Sequence, residues 1–399
     1  METEKPDQSS LPLQGTRVLD LSRLLPGPYC SMLLADMGAE VIKIEEPEIG
    51  DYIRASAPFI EGESSGHLIL NRNKKSLTLN LREEKGRKIF LQLSKEADVI
   101  LEGFRPGVTK RLGVDYETVR RENDGIIYVS LTGYGQGGPY EQMVGHDVNY
   151  LALSGILSMT GASGGPPVLL GIPIGDIAGG MFATVGILAA IVAKEKSGKG
   201  QFVDVAMLDG LLSWLTVHAG VFFAEKRVRP RGEGKLWGRY GCYQVYETRD
   251  QKYIAIGAIE KKFWKNLCVK LKRQDFIDHQ YAEEEKREEI LSFLSDTFRS
   301  KTRDEWVREF EGEEICFSPV HDLEEVFSDP QVISRKMIQH IDHPRCGSIK
   351  QLGFPVKFSR AEMDRKEPPP SLGEHTEEIL GHLGYSKEEV LRLKSEGVI

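Results

Sequence analysis

The sequence predicts an α/β protein, with a doubly wound domain built on a parallel sheet and a smaller α+β unit after it. Three observations carry this. Short apolar strands alternate with helices through the first third of the chain. A basic, Gly-rich stretch at 225–239 separates that part from one of different composition. The length, 399 residues, exceeds what one ordinary core serves.

The elements follow in order. Thr16 to Leu21 reads as a strand, Pro26-Gly27-Pro28 as a break, and Tyr29 to Met37 as a helix closed by Gly38. Glu40 to Ile44 is the next strand, which completes a βαβ unit. The pattern repeats with a strand at Ser76 to Leu81, a helix at Glu84 to Lys95 and strands at Asp98 to Glu102 and Gly125 to Leu131. Ile177 to Lys194 is apolar nearly all round. That predicts a central, buried helix, since the run is short for a membrane span. A strand at Gln201 to Ala206 and one long helix from Met207 to Phe223 follow. The small unit is expected at 225–325, and residues 1–10 read as a disordered tail.

Composition narrows the function. With 52 basic and 60 acidic residues the net charge is -8, which argues against nucleic acid as the partner. The five cysteines form no CxxC pair, so neither a zinc knuckle nor a disulfide framework is indicated. The polar N-terminus lacks a secretory pattern. A cytoplasmic, non-membrane protein is the expectation.

Several motifs carry chemistry. Gly133 to Gly138 spells GxGxxG after a strand, but Pro139 and a polar stretch follow instead of a helix. A loop that approaches a ligand closely is favoured over a dinucleotide site. Asp176 enters the apolar helix between Gly175, Gly179 and Gly180. It reads either as an N-cap or as an accessible carboxylate beside helix N–H groups that would hold an oxyanion. His146, in GHDVNY, is a candidate base, while Asp147 next to it should point elsewhere in either a helix or a strand. Arg72 to Lys75 and Arg105 lie at loops flanking the sheet and suit phosphate groups.

Gly15 to Asp20 with Pro26-Gly27-Pro28, LLADMGAEVIKIE, NRNKKSLTLNL, GFRPGV, LTGYGQGGPY and GHDVNYLALSG resemble the family III coenzyme A transferase (CaiB/BaiF) superfamily. They are most similar to its α-methylacyl-CoA racemase branch, over nearly the whole chain. The resemblance implies an interlocked homodimer. Each subunit would have a large Rossmann-like domain made from 11–224 and a return segment, 326–399. It makes Asp176 and His146 the two catalytic bases, with Glu260 as the partner of the histidine. Arg23, Arg72, Lys75, Arg105 and Tyr134 become coenzyme A-contacting candidates. No metal or redox cofactor is required, because coenzyme A enters as part of an acyl-CoA substrate. In transferases of the superfamily the same aspartate is a nucleophile. Arg231 to Lys235 is not the poly-Gly loop common there, and those enzymes commonly lack the histidine, so the racemase reading is preferred. A non-catalytic coenzyme A-binding protein is the third reading. Met143, Met159, Leu236, Trp237 and Tyr240 are candidates for an acyl pocket or for core.

Overall fold

A computed structural model describes residues 11–399, so the expected N-terminal tail lies outside the described residues. The chain forms two compact units. The larger holds the chain up to Ser154, Gly171–Thr216 and Ile333–Ile399, and the smaller holds Gly155–Leu170 and Val217–Val332. The smaller unit is thus wider than the 225–325 read from composition. The reason is local: Arg231 Nε donates to Ser158 O at 3.0 Å, and Ser163 Oγ donates to Glu233 at 2.8 Å. These bonds bind 155–170 to the segment read as a linker.

In the large unit six strands form one sheet: β1 (Arg17–Asp20), β2 (Glu40–Glu45), β3 (Lys74–Thr78), β4 (Val99–Glu102), β5 (Ile127–Thr132) and β6 (Gln201–Ala206). Their order is β3-β2-β1-β4-β5-β6 and every pair is parallel. This is the doubly wound order whose connections reverse between β1 and β4, and ligands bind at the carboxyl ends of such strands. Helix α1 (Pro26–Asp36) links β1 to β2, and α2 (Glu84–Lys95) precedes β4. The expected break at Pro26-Gly27-Pro28 is instead the first turn of α1. Proline is tolerated there because the first helical N–H groups have no partner to lose.

After β5 come α3 (Asp147–Leu153), α4 (Ile174–Ser197) and, beyond β6, α5 (Met207–Trp214). The single helix expected over Met207 to Phe223 breaks at Leu215, and a second one runs over Thr216–Glu225. The expectation of a fully buried α4 is also corrected. Its Ala178, Gly179, Gly180, Ala183, Ile187 and Ala190 are buried, whereas Met181, Val185 and Val192 are exposed. Small residues on one face admit close neighbours: a Cβ on Gly180 would stand 2.5 Å from Pro26 O. Met181, Val185 and Val192 are left on the other face. By length and composition alone α4 is able to cross a membrane.

The small unit has a three-stranded antiparallel sheet of β7 (Tyr243–Glu247), β8 (Tyr253–Gly257) and β9 (Phe317–Pro319), with β8 in the middle. Helices α6 (Lys261–Lys270), α7 (Glu284–Arg299) and α8 (Arg303–Phe310) close its core around Trp264, Phe276, Phe298 and Trp306. The return segment adds the hairpin β10 (Ile338–His343) and β11 (Gly347–Leu352), then α9 (Thr376–His382) and α10 (Lys387–Ser395). Ile379, Leu380, Val390 and Leu393 from these helices pack with Leu19, Ile42, Leu77 and Ile100 of the sheet. Both ends of the chain therefore build one core.

Candidate active site

The carboxyl ends of β1, β4 and β5 carry three loops, and the site is assembled from them. Arg23, after β1, donates to Tyr52 Oη at 2.9 Å, and its guanidinium lies 4.9 Å from the Tyr52 ring and 5.6 Å from the Phe104 ring. Phe104 and Arg105 follow β4. The loop is fastened to its strand by Glu102, whose Oε2 accepts from Phe104 N at 2.7 Å. Burial pushes the Glu102 carboxyl up to about 7. Arg105 is exposed and has no ion-pair partner among the described residues. Two guanidiniums therefore flank the point where the sheet's connections reverse, Arg23 with Glu46 at 3.8 Å and Arg105 with no such partner, a placement in which Arg105 best suits an anion.

The glycine loop follows β5. No helix opens from it, since the next one begins at Asp147, so the dinucleotide reading fails on geometry. Gly135 has φ +87°, and the neighbouring Gln136 N donates to Asp204 at 2.9 Å. Tyr134 lies edge-on to Tyr150, with ring centroids 5.2 Å apart, and its buried hydroxyl has no hydrogen-bond partner among the described residues. A Cβ on Gly133 would meet the Tyr150 ring at 2.6 Å, so glycine is what lets the two tyrosines approach.

Asp176 is the third residue of α4, and the N-cap is Pro173, which has no capping side chain. The cap comes from another helix. Asp147 Oδ1 accepts from Gly175 N at 2.6 Å and from Asp176 N at 3.3 Å. The bland reading of Asp176 as its own helix cap is thereby replaced, and no donor among the described residues reaches its carboxylate. Burial first, then the Asp147 charge, push the Asp176 carboxyl up to about 6, while His146 acts in the opposite direction. His146 is the exposed N-cap residue of α3, and its N–H is held by Asn149 Oδ1 at 3.0 Å. Tyr150, one turn along α3, has its hydroxyl pushed up to about 12 by burial and by Tyr134, Asp176 and Asp147.

The fold thus brings Asp176 and His146 into one another's field, with Tyr134 connected through Tyr150. It sets Arg23 and Arg105 on the rim. Arg72 and Lys75 do not join them. Arg72 is buried and gives Nε and Nη2 to Asp36 at 2.9 and 2.5 Å and Nη1 to Gln351 at 3.2 Å. Lys75 pairs with Glu40, the first residue of β2, and with Glu378. "Flanking the sheet" did not separate its two ends, and these two cations serve the wrong end for a ligand at the carboxyl rim. Glu260 lies in the small unit as the exposed N-cap residue of α6, and its side chain makes no capping bond. Leu236 and Trp237 line a cavity of about 600 Å³ in that unit with Tyr243, Ile256 and Phe317. The residue missed by sequence reasoning is Asp147. Its sequence signal was an acid at the first turn of its own helix, and nothing in the sequence showed which other helix it would cap.

Residues 13–376 match the family model described as CoA-transferase family III. Human succinyl-CoA:glutarate CoA-transferase is 36% identical, over 97% of this chain and 90% of that protein. Human alpha-methylacyl-CoA racemase is 34% identical, over 97% of both. A solved CAIB/BAIF family protein from Brucella suis superposes with a TM-score of 0.82 at 30% identity, covering 93% of this chain and 99% of that one.

Proposed function

The chain belongs to CoA-transferase family III, and on that premise we propose that it inverts the α-carbon of 2-methylacyl-CoA thioesters. The observation that carries this reading is a half-buried Asp176 whose carboxylate takes no donor among the described residues, at a helix start capped by Asp147, the neighbour of His146. A proton α to a thioester is weakly acidic, so its removal needs a placed base and a stabilised enolate. Asp176 as carboxylate takes the proton on one face, and the electron pair passes to the thioester oxygen. His146 as imidazolium returns a proton on the other face as the carbonyl reforms. The reverse direction uses protonated Asp176 and neutral His146. Arg23 and Arg105 would hold the phosphates of coenzyme A, and binding there supplies orientation remote from the reacting carbon. A second copy of the chain suits the exposed apolar residues of α4, together with Phe202, Leu212 and Trp214.

Exchange of the α-proton with solvent deuterium, using a 2-methylacyl-CoA and no second acyl acceptor, tests the proposal. An intact protein that gives no exchange across a panel of such thioesters sinks it. The second reading, coenzyme A transfer between carboxylic acids, is favoured by the 36% identity to a transferase. There Asp176 attacks the thioester carbon, coenzyme A leaves as thiolate, and a mixed anhydride forms. Hydroxylamine added with acyl-CoA would then trap Asp176 as the hydroxamate.

A further inference from the structure

Asp147 is an acid next to Asp176 that the proposed reaction leaves unused. It stands on α3 beside His146, yet its side chain reaches another helix. Oδ1 takes the N–H groups of Gly175 and Asp176, the second and third residues of α4. The fit is close: a Cβ on Gly175 would lie 2.9 Å from that oxygen and 3.2 Å from Leu211 Cδ1. One carboxylate therefore satisfies two of the donors that every helix N-terminus leaves open. It also favours the positive end of the helix dipole.

We propose that Asp147 is a positioning residue for Asp176. Its carboxylate caps the helix that carries Asp176 and sets a second negative charge beside it. The Asp176 side chain is then left out of the capping, and no cation is brought to it by the cap. Pro173, the N-cap residue, offers no capping side chain, so Asp147 supplies the acceptor that the helix start itself lacks. The same contact fixes α3 to α4, and hence His146 to Asp176, without touching substrate. This inference rests on the reading of Asp176 as the reacting group.

The charges that act on Asp176 are Asp147 and His146, both from α3, and Tyr150 faces it from the same helix. Helix α5, which also packs on this end of α4, presents Leu211 there, and its acid Asp209 is exposed. Like charge raises the proton affinity of Asp176, in the direction in which burial already works.

The test is Asp147→Asn beside Asp147→Ala in the full-length protein. Asparagine keeps the acceptor oxygen and removes the charge, whereas alanine removes both. Asp147→Asn should fold with an unchanged melting temperature and move the titration of Asp176 down by about one pH unit. Titration is followed by NMR of carboxyl-labelled aspartate, assigned with Asp176→Asn. The acid limb of kcat/KM should move by the same amount. Asp147→Ala should move the acid limb as Asp147→Asn does and should in addition lower kcat on its pH plateau by about tenfold, since the cap is lost too. An unmoved Asp176 titration in Asp147→Asn overturns the inference and leaves Asp147 a cap only. A moved titration in a protein that processes no acyl-CoA supports the inference and overturns the functional reading instead.

Discussion

Asp20 and Asp176 are both acids of the large unit withdrawn from water, and the protein treats them in opposite ways. Asp20, at the end of β1, is fully buried. It accepts from Ser22 N at 2.9 Å and from Ser31 Oγ at 2.5 Å, with Lys74 Nζ at 3.8 Å. Burial works to raise its pKa, but Lys43, Lys74 and the two serines outweigh it and hold the carboxyl below the usual range. Lys43 also pairs with Asp51 at 2.8 Å and donates to Ser22 O at 2.9 Å. Asp176 receives no such donors and faces another acid, so its carboxyl is pushed up to about 6. Burial alone is thus silent about role. A buried acid with cations beside it stays ionised, whereas one without them, such as Asp176 or Glu102, has its proton affinity raised.

Substitutions should separate the two clusters. The largest effect is expected from Asp176→Ala, which should lower α-proton exchange by at least about 10³-fold. Its melting temperature at pH 7 should hold or rise slightly. The sign follows from linkage. A folded pKa above the unfolded one means that the charged form costs stability above pH 6, and that cost disappears with the carboxylate. A marked loss of stability in this variant would erase the contrast with Asp20.

Lys43→Met should do the reverse. It removes the cation shared by Asp20 and Asp51 from a fully buried position. Breaking such a pair costs about 3–5 kcal/mol, read by chemical denaturation. Asp20 should also make its network acid-sensitive. Its lowered pKa contributes stability that is present above the unfolded value and lost as the pH falls through the lower folded value.

His146→Ala should cut proton exchange by about 10²-fold, while hydroxylamine trapping of Asp176, if it occurs, persists. Loss of both would make His146 a structural residue. The smallest effect is expected from Arg105→Ala on the rim. KM for acyl-CoA should rise by about tenfold with kcat unchanged, as for one lost charge-assisted contact. The increase should shrink at high salt.

Much of the fold was legible because short apolar runs report burial directly. Leu19, Ile42, Leu77, Ile100 and Tyr128, one from each of five strands, are buried in one cluster, as the continuous burial of a parallel sheet requires. Motif context singled out Asp176 and His146, which the fold sets near one another, and the Pro139 after the glycine loop pointed away from a dinucleotide site, where no helix opens. Arg72 misled because residue type predicts affinity for anions but not whether an internal carboxylate, here Asp36, has already taken it. Helix α4 misled in another way. An apolar surround shows that a helix avoids water, and it does not say what covers each face.

By itself, then, the sequence determined the alternating α/β plan and the residue types available for acyl-CoA chemistry, because both are written in local patterns of hydropathy and motif. Only the tertiary structure decided which end of the sheet each cation serves. It alone showed that Asp147 caps the helix of Asp176, and that no donor among the described residues reaches the Asp176 carboxylate. Those facts depend on contacts between segments tens of residues apart, such as the 28 that separate Asp147 from Gly175, and no local pattern records which distant group will complete a hydrogen bond.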